Sequence, residues 1–147
     1  MTNATNAARL MPDIASQAKA DASGPLEWVG MAEISVPVRL ADADGVQVQS
    51  PARVAAYVNL NQADARGIHM SRLYLHVDQH LSREPLTPCS LRRLLRDFLD
   101  SHADLSDKAR INVHFDHMVR RSALASDNSG WKTYPVEINA SIHEGAF

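Results

Sequence analysis

The stretch MSRLYLHVDQHLSREPLTPCSLRRLLRDFL, residues 70–99, decides the fold class of this 147-residue chain. Its apolar residues recur every three or four positions, which is the period of an amphipathic helix. The first apolar stripe predicts a helix from about Ser71 to Ser82, with Ser71 as its N-cap. The second stripe predicts a helix that begins at the N-cap Thr87 and has Pro88 in its first turn. Two helices are therefore expected to follow each other directly.

On both sides of this helical stretch the apolar period changes to two, the spacing of half-buried strands. Residues 31–60 hold two alternating segments around the turn-forming sequence ADADG, residues 41–45. Pro37 has no backbone N–H to donate, so the first strand belongs at a sheet edge or carries a bulge. Residues 111–116 and 134–143 alternate in the same way. The order strand, strand, helix, helix, strand, strand predicts an α+β fold, with two helices on one face of an antiparallel four-stranded sheet.

The domain organisation is expected to be simple. Residues 1–25 lack the basic start and the apolar core of a secretory signal and are predicted to form a flexible tail. Residues 26–147 are predicted to form a single folded unit. Helices on one face leave the other sheet face and the sheet edges open, so self-association is expected to cover an apolar surface. This expectation rests on four strand residues that were not all expected to face the helices, namely Val36, Val38, Val136 and Ile138.

Composition argues against several classes of protein. Fifteen basic and seventeen acidic residues give a net charge of -2, which does not suit a general nucleic-acid binder. No apolar run reaches the roughly 20 residues of a membrane span, so no membrane partner is expected. The single cysteine, Cys89, excludes an internal disulfide framework and fits a cytoplasmic location.

Seven histidines raise the question of a metal site. His76 and His80 share a helical face, but Val77 stands where an HExxH motif requires glutamate. A histidine pair on an exposed helix is usually solvated, and we expect no metal there. His114 and His117 lie three positions apart on a strand, so they are predicted to point to opposite faces.

Two short segments offer further candidates for chemistry. Cys89 lies in the first turn of the second helix, where the helix dipole favours a thiolate; the alternative is a small half-buried residue. The segment RGIHMSR, residues 66–72, brings His69, Ser71 and Arg72 to a strand-to-helix junction. Free amides at a helix start bind anions, and an arginine adds a bidentate contact. The alternative for this segment is a capping turn with an ordinary charged flank.

Several strings of the sequence together resemble one enzyme family. They are VAAYVNLNQADARG (54–67), GIHMSR (67–72), LTPCSLRRLLRDFL (86–99), RRSALAS (120–126) and GWKTYPVEI (130–138). The chain, from about Val29 to Phe147, is similar to the N-terminal half of GTP cyclohydrolase type IB, a tunnelling-fold family. The resemblance implies units of the strand and helix order predicted above, which associate into barrels with active sites at interfaces.

The resemblance also implies a reaction and its site. GTP and water would give 7,8-dihydroneopterin triphosphate and formate, at the start of folate and pterin biosynthesis. His69, Ser71 and Arg72 are the candidate substrate-binding residues. A divalent metal ion, zinc, manganese or similar, would activate the water.

The family's metal-binding and catalytic Cys-Pro-Cys-Ser element belongs to a C-terminal half that these residues do not match. The Thr-Pro-Cys-Ser at residues 87–90 opens an amphipathic helix, so no catalytic role is assigned to Cys89. We therefore expect no catalytic residue and no bound metal in these 147 residues alone, and little or no activity. The alternative is a non-catalytic tunnelling-fold module that binds a purine or pterin or mediates oligomerisation.

Overall fold

A computed structural model describes residues 24–41, 44–62 and 67–147 of the chain. Its elements occur in the predicted order, and the α+β fold class is confirmed. They are β1 (Leu26–Ala41), β2 (Gln47–Leu60), α1 (Met70–Arg83), α2 (Pro88–Ser101), β3 (Lys108–Ser122) and β4 (Ser129–His143). The tail expected over residues 1–25 lies almost entirely outside the described residues. Neither described helix is long and apolar enough to cross a membrane.

The four strands form one antiparallel sheet in the order β1-β2-β3-β4. The position of β1 at an edge confirms the prediction from Pro37. The bulge of β1 lies earlier, because the pairing register shifts between Met31 and Ile34, where Glu33 has a φ of 57°. Of the predicted turn between β1 and β2, the structure describes Ala41, Asp44 and Gly45. Gly45 has a φ of 80°, a conformation that suits glycine.

The hydrophobic core lies between the helices and one face of the sheet. Every second residue of β2 and β3 points into it, as the period of two predicts. The helices contribute their apolar stripes, which are Leu73, Val77 and Leu81 from α1 and Leu91, Leu94, Leu95 and Phe98 from α2. This packing gives the two-layer arrangement that positions the ends of the helices.

The expectation of an apolar open face is wrong. Val36 and Val38 are buried in the core, and Val136 and Ile138 pack against it, so all four face the helices. They share this face because their strand positions have the same parity in the pairing register. The opposite face carries polar residues instead, such as the row Ser35, Arg53, His114 and Glu137.

The two helix starts differ in how well the sequence predicts them. Thr87 caps α2 as predicted, because its side chain accepts from the Ser90 N–H at 3.0 Å while Ser90 Oγ accepts from the Thr87 N–H at 2.9 Å. This reciprocal pair is a capping box. The N-cap of α1 is His69 and not Ser71, so that helix begins at Met70 and puts Ser71 within its first turn.

Candidate functional site

The GIHMSR segment forms the entry into α1. Gly67 has a φ of 140°, and the carbonyl of His69 accepts from the N–H groups of Arg72 at 3.0 Å and Leu73 at 3.5 Å. His69, Ser71 and Arg72 are all exposed. The structure therefore brings the three predicted substrate-binding residues together on one helical turn, at the positive end of the α1 dipole.

Arg72 also has a structural contact that the sequence did not predict. Its Nη1 donates to the carbonyl of Ser101, the last residue of α2, at 2.8 Å. The bond satisfies a carbonyl at a helix end and ties the start of α1 to the end of α2. A guanidinium has five N–H donors, so this contact still leaves donors for an anion.

His102 lies beside this turn and was missed in the sequence analysis. It is 2% exposed, and its ring centroid is 6.3 Å from that of His69. Its Nδ1–H donates to the carbonyl of Phe98 at 2.9 Å, which leaves Nε2 as the acceptor nitrogen. Within the described part of the chain, Nε2 is buried without a hydrogen-bond partner. No sequence signal marked this histidine, because it follows the last apolar position of α2.

The expectation that His76 and His80 are solvated is wrong for His80. His80 is 8% exposed and points toward α2, where its Nε2–H donates to Asp97 Oδ2 at 2.6 Å. His76 is half-buried, and its ring contacts Phe98 edge-on. The ligand atoms of His76, His80 and Asp97 lie within 4.8 Å of one another. Asp97 was not predicted as a partner, because no local signal in the sequence shows which residue of α2 meets His80.

Charges surround this histidine pair. Burial lowers the pKa of His76, and nearby His80 and His102 act in the same direction, while Asp97 opposes them. On the other side, Nδ1 of His80 lies 4.0 Å from Glu84 Oε2, and Glu84 is bonded to Arg93. The two histidines therefore lie between the carboxylate of Asp97 on α2 and that of Glu84, the C-cap of α1.

The remaining candidates do not join these groups. Cys89 is exposed, neither half-buried nor beside a histidine or carboxylate that would complete a metal-ligand set among the described residues. His114 and His117 lie on opposite faces of β3, as predicted. His117 is on the same face as the buried residues Val113 and Phe115, and His114 is on the open face.

The open sheet face is polar. One groove of about 610 Å³ is lined by residues that include Ser35, Arg53, His114 and Asp116. Beside it, Asn112 Nδ2 donates to Glu137 Oε1 at 2.8 Å, and this bond, with a second from Asn139, lowers the pKa of Glu137. This groove does not include His69, Ser71 or Arg72.

Taken together, the ββααββ order, the single helical layer and the polar open face define an α+β sheet unit that carries an exposed cationic helix start. Comparisons with known proteins place this unit in a family. The model of the family described as type I GTP cyclohydrolase FolE2 matches residues 11–146. The chain belongs to the type I GTP cyclohydrolase FolE2 family.

Three curated relatives show how far the similarity extends. The chain is 44% identical to GTP cyclohydrolase FolE2 of Hydrogenovibrio crunogenus over 137 residues, which is 93% of this chain and 44% of that protein. The FolE2 proteins of Pseudoalteromonas translucida and Bdellovibrio bacteriovorus are 44% and 43% identical over 135 residues, covering 92% of this chain and 45% and 44% of those proteins. The chain thus spans less than half the length of these relatives.

Proposed function

We propose that this chain is the N-terminal part of a GTP cyclohydrolase, which converts GTP and water to 7,8-dihydroneopterin triphosphate and formate. The observation that carries the proposal is the GIHMSR turn, in a chain that matches the FolE2 family along most of its length. This turn offers an anion three things at once: the first amides of α1, the hydroxyl of Ser71 and the guanidinium of Arg72.

The chemistry of His69, Ser71 and Arg72 assigns each of them a role in binding GTP. The exposed turn suits the triphosphate of GTP, since a helix start and an arginine both favour negative charge. His69 and Ser71 supply hydrogen-bonding groups next to it. The bond from Arg72 to the Ser101 carbonyl at 2.8 Å holds the arginine at the junction of the two helices. These residues bind and orient the substrate.

The residues present do not fit the catalytic metal of the family. A cysteine-containing ligand set requires a histidine or carboxylate near the thiol, and exposed Cys89 belongs to no such set among the described residues. We therefore derive no step through that metal, and we propose that catalytic residues and metal ligands come from outside these 147 residues.

The proposal is tested with Arg72→Ala in the full-length protein. We expect the variant to bind GTP more weakly by about 1.5–3 kcal/mol, the range for a hydrogen bond to a charged group. Arg72→Lys should recover only part of this loss, because an ammonium lacks the bidentate fork. Arg96→Ala, an exposed arginine on α2, is the matched control and should bind GTP normally. Calorimetric titration measures the affinities, and a thermal melt checks the fold.

Two outcomes separate a substrate contact from a purely structural one. If Arg72 only caps α2, Arg72→Ala lowers the melting temperature and leaves the GTP affinity unchanged, which contradicts the proposed role. If Arg72 binds substrate, affinity falls beyond any change in the Arg96→Ala control.

The alternative function is a module that binds a purine or pterin without turnover. The two functions differ in one product, since only the enzyme releases formate when GTP is supplied to the full-length protein. Self-association and a cytoplasmic location remain part of the proposal, and the first of them is tested below.

A further inference from the structure

We propose that His76, His80 and Asp97 form a binding site for a divalent transition-metal ion of the zinc class, which clamps α1 to α2. No metal was predicted at His76 and His80 from the sequence, because the HExxH motif is absent and such a pair is usually solvated. The third ligand lies on a different helix. The proposal is independent of the GTP cyclohydrolase function.

The geometry of the three side chains carries the proposal. His76 and His80 lie one turn apart on α1 and face α2, and their ligand nitrogens and the Asp97 carboxylate lie within 4.8 Å of one another. Ligand atoms around a tetrahedral zinc ion lie about 3.3 Å apart. The ligand atoms farthest apart would approach by at most about 1.5 Å, and His80 Nε2 and Asp97 Oδ2, now 2.6 Å apart, would separate by about 0.7 Å to admit the ion. Two imidazoles and one carboxylate are a common set for this ion.

The surroundings of His80 give a second, independent observation. Its Nδ1 is buried and has no hydrogen-bond partner among the described residues, while Nε2 contacts Asp97. With a metal on Nε2, the proton of the neutral ring moves to Nδ1, which faces Glu84 Oε2 at 4.0 Å. A carboxylate behind the second nitrogen is the usual support of a metal-bound histidine.

Access and rigidity also suit a bound ion. His80 is buried, whereas His76 is half-buried and Asp97 is 41% exposed at its side chain, so water can reach the fourth position. The edge-on contact with Phe98 restrains the ring of His76, and Arg93 holds Glu84. Nitrogen ligands disfavour Mg²⁺ and Ca²⁺, which prefer oxygen.

The test uses the 147-residue chain without a histidine tag, titrated with Zn²⁺ and with Co²⁺ as a spectroscopic probe. We expect one ion per chain, the visible absorption of tetrahedral Co²⁺, and a melting temperature raised by about 5 °C or more at a hundredfold excess over Kd. His76→Ala should weaken binding at least tenfold, about 1.4 kcal/mol. It leaves the bond between His80 and Asp97 in place, so the fold should persist.

Two controls identify the site. Cys89→Ser and His117→Ala each remove a potential ligand outside the set and should keep the affinity of the unmodified chain. The absence of one-to-one binding, or an affinity that His76→Ala leaves unchanged, overturns the proposal. A loss of binding in Cys89→Ser or His117→Ala also overturns it, because the ion would then be held elsewhere.

Discussion

At the scale of single residues, Asn59 does more for the fold than its position at a strand end suggests. Its Oδ1 accepts from the N–H groups of Asp107 at 3.0 Å and Lys108 at 2.8 Å. Its Nδ2 donates to Asp107 Oδ1 at 2.6 Å and to Asn61 Oδ1 at 2.8 Å. The residue is 3% exposed, so the side chain joins the end of β2 to the start of β3 with its hydrogen-bonding capacity used.

Asn59→Ala is therefore expected to destabilise the protein. The substitution leaves the N–H groups of Asp107 and Lys108 without their acceptor, which costs about 1–3 kcal/mol in unfolding free energy. Asn128→Ala is the matched control, since this exposed loop residue should change the same quantity by less than about 0.5 kcal/mol. Urea unfolding measures both variants, and equal stabilities would contradict the role of Asn59.

The same residue sets a pH dependence. Hydrogen bonds from Asn59 and, next, Asn61 lower the pKa of Asp107 in the folded protein. A lowered folded pKa stabilises the fold above the unfolded pKa, and that contribution disappears as the pH falls through the folded pKa. Asp107 is exposed, so the effect is small. We expect the difference in unfolding free energy between the unmodified protein and Asn59→Ala to be smaller at about pH 3 than at about pH 7.

At the scale of elements, the pairing of β1 with β2 depends on a close backbone approach at Gly30. A Cβ at Gly30 would lie 2.0 Å from the carbonyl oxygen of Ala56 and 2.7 Å from the Cα of Tyr57. Both atoms belong to the backbone of β2, so the strands must move apart to admit a methyl group. This approach lies next to the β1 bulge, where the register shifts.

We expect Gly30→Ala to lower the unfolding free energy by about 1–3 kcal/mol, the usual cost of overpacking. Gly130→Ala is the matched control, because this glycine also lies in a strand and a Cβ there meets nothing within 4 Å. Denaturant unfolding compares them. Two variants of equal stability would show that β1 adapts freely at Gly30.

At the scale of the whole molecule, the β1–β2 hairpin and the β3–β4 hairpin pair with each other only in the central part of the sheet. β2 pairs with β3 from Ala52 to Val58, whereas β3 pairs with β4 along its whole length. The separated ends enclose a groove lined by apolar residues, among them Leu40, Val48, Met118 and Trp131. Trp131 is 64% exposed, so this groove, and not the polar open face, is the surface that association would cover.

Self-association is accordingly expected to depend on this groove. Trp131→Ala should weaken it by about 2 kcal/mol or more, because buried tryptophans dominate interface energies. Leu75→Ala is the control, because Leu75 is an exposed apolar residue on α1 and does not line this groove. Light scattering after size exclusion, at about 10 μM protein, measures the mass. A monomer before any substitution would contradict the expectation of self-association.

The type and order of the elements can be predicted from the sequence, because their signals are local. The period of 3.6 in residues 70–99, the N-cap Thr87 and the proline of β1 each act within a few residues, and each was predicted. The GIHMSR turn was also found from its residues alone. The predicted N-cap of α1, Ser71, was wrong. The helix starts after His69, which makes no capping bond with its side chain, so the backbone and not a capping side chain sets the helix start.

Which residues meet across elements is visible in the folded structure and not in the sequence. Asp97 joins His80, Arg72 reaches the Ser101 carbonyl, and His102 lies beside His69. The polar character of the open face was likewise hidden, because alternation shows that a strand has two faces but not which face the helices cover. Such contacts depend on how two helices pack side by side. A single sequence carries no local signal for the distance between the helices or for the residues that face each other across it.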